Sequence, residues 1–378
     1  MNLRHLTVER FRNLAPIDLD LSEGVTLFWG QNAQGKTNLL EAVHYLATGR
    51  SFRTRWDREC LPWDAEPQTV ARIEGRVDRA TTSHHLAISL TERTKLAWVD
   101  GKALTRLADL LGKLTVVLVT PDDIGIAGGS PAMRRRFLDM ALSQISSTYL
   151  RHLQSYIEAL RQRNAALRSG DSSLGTPSGD GQLDPWVGPL VEHGSEISLA
   201  RREAVEEIAA LAGDLYEQIA PGDGGLRMET RSGSGLTAED TREQARERFR
   251  ERLRQAADAE RARGQTLVGP HRDDLVPTIG DREARHCASQ GQQRSVALAL
   301  RLAEVRWMTK RTGETPLLLI DDLGAELDRE RRCRLLSLFG AQVQTLATTA
   351  GDPEPLRQMI GAGRAIEVRR GMLRANLE

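Results

Sequence analysis

The sequence predicts an α/β nucleotide-binding head split by a helical insertion. Three observations carry that prediction: a glycine-rich loop between an apolar strand and a helix near the start, an apolar strand ending in two carboxylates near the end, and helix-rich texture between them. The chain has 378 residues, whereas single cores stop growing at ~250–300 residues, so two domains or one large domain with an insertion are expected. The expected divisions are residues 1–120 and 265–378 for the two parts of the head, and 121–264 for the insertion.

The first ~120 residues alternate or run apolar at strand length. Strands are expected at residues 3–8, 17–21 and 25–29, then at 70–77, 86–90 and 96–99, the last ending at the hairpin signal Asp100-Gly101. Residues 114–119 form an apolar, β-branched run of the kind buried on both faces. Immediately after the strand at 25–29 comes Gly30-Gln31-Asn32-Ala33-Gln34-Gly35-Lys36-Thr37, and then helical spacing at Leu39, Leu40, Val43 and Leu46. Strand, GxxxxGKT and helix together make a phosphate loop. Gly30 and Gly35 free the backbone, loop N–H groups cradle phosphate oxygens, Lys36 reaches the β- and γ-phosphates, and the Thr37 hydroxyl ligates Mg²⁺. The expected ligand is a nucleoside triphosphate, ATP.

From 131 to about 168 the chain reads helical, with Leu150, Leu153, Ile157, Leu160 and Leu167 on a 3-4 spacing. Residues 169–181 are a polar Gly/Ser linker. A second helix starts after the cap-like Asp184-Pro185 and keeps its rhythm through Leu215, with Gly194 and Arg201 as breaks. Two such helices form either a short projecting antiparallel coiled-coil arm, which the pattern favours, or a hairpin packed on a core. Residues 241–263 carry eight arginines and five acids, which suits a solvated helix laced with i,i+4 pairs and leaves a DNA-facing role open. Strand texture returns from 267. A helix at 292–310, a strand at 317–320, a helix after Asp328 and a strand at 342–347 follow.

Net charge is zero and hydrophobic residues make up 40% of the chain. That argues against an indiscriminate nucleic-acid coat but not against a local basic surface. Five of the 52 basic residues are lysine, a bias toward arginine that reads as genome composition. The three cysteines form no CxxC pair, so neither a zinc knuckle nor a disulfide framework is expected. No apolar run approaches the ~20 residues needed to span a bilayer. The N-terminus lacks a signal-peptide core, and a cytoplasmic location without a membrane partner is expected.

The strand at 317–320 ends in Asp321 and Asp322. Asp321 is placed to hold the Mg²⁺ shell, and Asp322 to orient or activate the attacking water. Lys36 and Asp322 are thus the expected catalytic residues. Ser289-Gln290-Gly291-Gln292-Gln293-Arg294 opens the preceding helix. Ser, Gly and Gln at a helix N-terminus make a second anion site, or merely a polar cap. Since the first loop already serves one subunit, the economical use is in trans: Ser289, Gly291 and Gln292 cap the γ-phosphate held by a second copy, so that ATP joins two heads.

These motifs in this order resemble the ATP-binding-cassette superfamily, in its branch with SMC-type heads. Finer features resemble the RecF family of bacterial DNA replication and repair proteins over essentially the whole chain: Phe11-Arg12-Asn13-Leu14, Gly49-Arg50-Ser51-Phe52-Arg53, Pro121-Asp122-Asp123, and Gly269-Pro270-His271-Arg272-Asp273-Asp274-Leu275 before Ser289-Gln290-Gly291-Gln292-Gln293-Arg294. The resemblance implies an ATP-dependent homodimer that binds duplex DNA, gapped DNA and single-strand junctions. It also implies help in loading the recombinase, RecR and RecO as partners, and weak ATP hydrolysis acting as a switch. Arg12 would reach the phosphates, and Asn13, beside it in the same motif, would also bind the nucleotide. The chain departs from the family at Ala325, where serine is common, at Phe52, where histidine is common, and in its Gly/Ser-rich linker.

The alternative is the nucleotide-binding subunit of a transporter, against which the helical insertion and the absence of a histidine after 343–347 both count. A small-acceptor kinase would leave the Ser289 segment without a role. Arg50, Arg53, Arg55, Arg134, Arg135 and Arg136 are candidate phosphate contacts on DNA. His271 is expected to be an ordered histidine near Asp273 and Asp274 rather than a metal ligand. His84 and His85 are expected to point to opposite faces of a strand, which argues against joint metal binding.

Overall fold

The computed structural model describes residues 1–169, 185–323, 343–351, 353, 354, 356 and 363–375. Along the chain, β1 (Asn2–Glu9), β2 (Ile17–Asp20) and β3 (Val25–Trp29) lead into α1 (Lys36–Thr48). Then come β4 (Ala71–Asp78), β5 (Ser83–Leu90), β6 (Lys95–Val99), β7 (Lys102–Ala103) and β8 (Val116–Val119). The helical stretch is α2 (Ile124–Gly128), α3 (Pro131–Ile145), α4 (Ser147–Ser169) and α5 (Val187–Ile219), followed by β9 (Leu226–Arg231) and α6 (Arg242–Arg263). The chain continues through β10 (Asp274–Ile279), β11 (Arg282–Glu283), α7 (Ala284–Cys287), α8 (Gln290–Thr312), β12 (Leu317–Ile320), β13 (Thr345–Thr349), β14 (Arg364–Arg369) and β15 (Met372–Ala375).

Two compact units emerge. The first comprises Met1–Ile124, Asp214–Asp223 and Arg294–Glu378, the second Gly125–Gly213 and Gly224–Gln293.

The first unit holds two six-stranded sheets. One is antiparallel, in the order β2-β1-β4-β5-β6-β7; the other runs β15-β14-β3-β13-β12-β8 and is parallel from β14 to β8. Helix α1 packs against strands of both sheets, β4 and β5 on one side and β13, β12 and β8 on the other. This explains why it is buried nearly all round, with Leu39, Leu40, Val43 and Leu46 wholly buried in one continuous core. Each such side chain contributes about 2 kcal/mol of apolar burial. β12 and β8 read as unbroken apolar runs because both their faces are covered. Asp100 and Gly101 take φ of 52° and 75° between β6 and β7, the left-handed pair a tight hairpin turn requires.

The second unit contains its own antiparallel sheet, β11-β10-β9. Here the structure differs from the expected division at 264. β10 pairs along its whole length with β9, from Asp274↔Arg231 to Ile279↔Leu226, so the chain up to Gln293 belongs with the second unit. The pairing partners lie more than 40 residues apart, and β9 offers six residues with only one buried, too weak a pattern to announce a strand.

The helices also differ in detail. The expected stripe on α4 included Ile157, which is 53% exposed; the buried face is Tyr149, Tyr156, Ala159, Arg163 and Leu167. Arg163 occupies that face because its guanidinium pairs with the buried Glu260 at 2.7 Å, an arrangement that an apolar count skips. The two breaks on α5 are packing points. A Cβ on Gly194 would lie 2.5 Å from the Phe249 ring. Arg201 reaches Asp139 and Asp273 at 2.8 and 2.9 Å. α6 matches its expected helix and is capped by a reciprocal Thr241–Gln244 box. The linker beyond Ser169, the Asp184 cap, the segment with Ala325 and the helix after Asp328 lie outside the described residues.

Candidate nucleotide-binding site

The parallel sheet builds the site. Loops leaving the C-terminal ends of its strands converge, as in other open α/β sheets. β3 delivers the Gly30–Thr37 loop, β12 delivers Asp321 and Asp322, and β13, which lies between them, delivers Thr348.

Gly30 has φ 148°, and a Cβ there would stand 2.4 Å from the Val368 carbonyl oxygen of β14, so only glycine fits. The loop is braced from behind by the β14–β15 turn. Gly371 N–H donates to the Gln34 carbonyl at 2.8 Å, and Arg370 N–H donates to Gln34 Oε1 at 2.8 Å. The Gln34 side chain therefore faces the turn. A Cβ on Gly371 would fall 2.1 Å from the Asn13 carbonyl oxygen, which makes this glycine a second structural requirement of the loop. Sequence reasoning missed the turn because it lies more than 330 residues away.

Lys36 Nζ donates to the carbonyls of Gly30 and Gln31, both at 2.7 Å. Burial lowers the Lys36 pKa, and Asp322 and Asp321 pull part of that shift back. Thr37 Oγ1 donates to Asp321 Oδ1 at 2.9 Å, and Thr348 Oγ1 donates to the same oxygen at 2.8 Å. Thr348 also accepts from Asp322 N–H at 2.8 Å, while Asp322 takes φ 57°, unusual for a residue with a side chain. Asp322 Oδ1 is buried without a hydrogen-bond partner among the described residues. An unsatisfied buried carboxylate oxygen costs stability and therefore points to a ligand or water at this spot.

Asn32, Ala33, Gly35, Lys36, Thr37, Asp321 and Asp322 line a cleft of about 690 Å³, together with Arg12, Asn13 and Thr348. That volume lies within the ~300–1,000 Å³ typical of ligand sites. A hydroxyl and two carboxylates are hard oxygen donors suited to Mg²⁺, and the lysine and the loop N–H groups suit the phosphates. The residues present thus fit a magnesium nucleotide.

Arg12 lines this cleft, but its guanidinium is committed elsewhere. It donates to Glu41 at 3.0 and 2.7 Å and to the Glu59 carbonyl at 2.5 Å. Burial acts to lower its pKa, and Glu41 more than offsets this, leaving the pKa raised. Glu41 is fully buried on α1 and also accepts from Ser51 at 2.5 Å. A glutamate inside an apolar helix was the available signal for this network. Asn13 accepts from Asn38 at 2.7 Å and donates weakly to the Ala33 carbonyl at 3.4 Å, steadying the loop.

Ser289, Gly291 and Gln292 belong to the second unit and are not among the residues lining the cleft. Ser289 Oγ accepts from Gln292 N–H at 3.2 Å, and Gln292 Oε1 accepts from Ser289 N–H at 3.0 Å, a reciprocal cap on α8. The accepting hydroxyl keeps its own hydrogen to donate.

Other motif residues serve the fold. Asp123 takes a bidentate fork from Arg301 at 2.6 and 3.2 Å. Arg134 forks onto Asp274 at 2.7 and 3.0 Å, and Arg135 donates to the Asp273 carbonyl at 2.6 Å, which removes both from the candidate DNA contacts. Arg50, Arg53, Arg55 and Arg136 are exposed. His271 bonds not to Asp273 or Asp274 but to Tyr156 Oη at 2.6 Å and to the Thr266 carbonyl at 3.0 Å.

The RecF/RecN/SMC N terminal domain family matches residues 2–358. Among curated relatives, the DNA replication and repair protein RecF of Chloroflexus aurantiacus is 40% identical over 369 residues, covering 93% of this chain and 94% of its own. The RecF of an Exiguobacterium species is 36% identical over 372 residues, 98% of both chains. Among solved structures, the recombination mediator protein RecF with ATPrS in the RecFOR pathway is similar, with a TM-score of 0.88 at 29% identity over 99% of this chain and 98% of that one. An Smc head bound to the C-winged helix domain of ScpA shares the fold, with a TM-score of 0.56 at 15% identity over 99% of this chain and 98% of that one.

Proposed function

The chain belongs to the RecF family of DNA replication and repair proteins, with the α/β head of RecF and SMC proteins, and from that premise we propose that it is an ATP-gated DNA clamp of recombinational repair. One observation carries the reading: Lys36, Thr37, Asp321 and Asp322 meet at a single cleft although the two motifs lie 284 residues apart.

In this reading the Lys36 ammonium leaves the Gly30 and Gln31 carbonyls for the β- and γ-phosphates, and the freed loop holds the triphosphate through its N–H groups. Thr37 and Asp321 would hold Mg²⁺, which would offset phosphate charge. Asp322 orients the attacking water through the oxygen that has no hydrogen-bond partner among the described residues. Hydrolysis is weak and serves as a switch. Ser289 and Gly291 of each copy cap the ATP of the other, so that ATP closes a homodimer and turnover opens it.

Closed heads would hold Arg50 and Arg55 over duplex or gapped DNA, while Arg53 lines the nucleotide cleft and donates to Asn38 at 2.6 Å. Contacts to phosphate make the binding sequence-tolerant and salt-sensitive. The RecFOR pathway named for a similar solved structure supports RecR and RecO as partners, and the outcome in this reading is recombinase loading onto single-stranded DNA. Among the described residues no helix is long and apolar enough to cross a membrane, and the proposed location is the cytoplasm. The transporter reading lacks support: Thr348 stands at the end of β13 where a switch histidine would stand.

Asp322→Asn tests the switch. It should bind ATP and remain dimeric on DNA, with turnover lost. Normal turnover would remove Asp322 from the chemistry.

A further inference from the structure

The phosphate loop accounts for the triphosphate alone, and a bound nucleotide must rest its base elsewhere in the same cleft. We propose that Trp63 is the platform on which that base, adenine, stacks. The inference rests on the ATP-binding reading above and deepens it.

Trp63 is fully exposed, at 101% of its reference area. Its whole indole face is therefore open to an incoming base. Trp63 lines the cleft that Lys36 and Thr37 line, and it is the only aromatic side chain to do so among the described residues. The backbone turn that carries it is anchored. Cys60 and Leu61, just before it, are buried in the core, and Arg12 N–H donates to the Cys60 carbonyl at 2.8 Å. Ala65 N–H donates to the Pro62 carbonyl at 3.1 Å, closing a turn with Trp63 and Asp64 at its tip. The indole is therefore held on a short turn tied to the same strand end that carries Arg12 and Asn13.

Nearby Trp56 differs. It is not among the cleft residues, and the Arg58 guanidinium lies 5.7 Å from its ring centroid. Stacking of a base on tryptophan tolerates any purine, because every base offers a π-face, and it adds roughly tenfold to a hundredfold in affinity. A DNA base is the competing occupant. The shared cleft favours the nucleotide.

The test titrates the full chain with Mg-ATP and with Mg-tripolyphosphate, for the wild type, Trp63→Ala and Trp63→Phe. The exposed side chain leaves no cavity when removed, so folding is preserved. Trp63→Ala should weaken ATP binding about tenfold or more, leave tripolyphosphate affinity unchanged, and regain most of the loss in Trp63→Phe. ATP binding as tight in Trp63→Ala as in the wild type overturns the proposal. If DNA retention falls in that variant while ATP affinity holds, the indole belongs to DNA instead. A parallel loss of tripolyphosphate affinity also overturns it, since the turn would then be shaping the loop. Wild-type protein that binds neither probe sinks the phosphate-loop reading itself, and the stacking with it.

Discussion

The Thr37 hydroxyl donates to the Asp321 carboxylate at 2.9 Å, across 284 residues of chain. Thr348 donates to the same oxygen, so two hydroxyls, one from the first turn of α1 and one from β13, aim one carboxylate at the loop. Both partners are oxygen donors of the kind Mg²⁺ prefers, and their contact is the position a cation would enter.

Asp321→Asn should therefore separate metal from nucleotide. The amide loses charge and donates where a cation needs an acceptor. ATP affinity in the presence of Mg²⁺ should fall on the order of tenfold or more, a charged interaction being worth ~1.5–3 kcal/mol, while affinity in excess EDTA stays near wild type. Equal losses with and without the metal would show that Asp321 shapes the loop only.

Glu41→Ala should destabilise the fold. The carboxylate is fully buried and takes the Arg12 fork and the Ser51 hydroxyl. Removing one partner of a buried pair leaves the other uncompensated, at about 3–5 kcal/mol. Denaturant midpoints measure the loss. A wild-type midpoint would mean that the Arg12 guanidinium is solvated and free for the phosphates.

His271 makes stability depend on pH. Its Nε2 faces the Thr266 carbonyl, which can only accept, so Nε2 carries the proton and Nδ1 accepts from Tyr156. Burial is the main cause that pushes its pKa down to about 4. The folded pKa lies below the ordinary 6.5, so the unfolded chain binds more protons between those values. The stabilisation is complete above about pH 6.5 and is lost as pH falls toward 4, on the order of 3 kcal/mol in all. Unfolding midpoints between pH 7 and 4 should fall more steeply for the wild type than for His271→Gln. Parallel slopes would contradict the buried neutral ring.

What was legible in the sequence was local. Gly30 to Thr37 and Leu317 to Asp322 announce themselves because a phosphate loop and a carboxylate-tipped buried strand each fit within a few consecutive residues. The supports of the site are not local. Gly371 behind Gln34, Glu41 beneath Arg12 and Thr348 beside Asp321 are ordinary residues until the sheet order places them. The second unit shows the same limit: Arg201 reads as an interruption of an apolar stripe and Arg163 is passed over by it, yet both are buried because Glu260, Asp139 and Asp273 arrive from distant segments. The β9–β10 pairing moved the unit boundary for the same reason, since register across 40 residues leaves no trace in either strand alone.

Sedimentation of the purified protein with Mg-ATP, alone and with a gapped duplex, beside Lys36→Ala and Ser289→Arg, tests the central claim most directly. The wild type should pass from monomer to dimer and retain DNA only with ATP. Lys36→Ala should do neither, and Ser289→Arg should bind ATP yet stay monomeric. A wild type that remains monomeric and indifferent to ATP, or an ATP dimer that survives Ser289→Arg, would contradict the ATP-gated clamp.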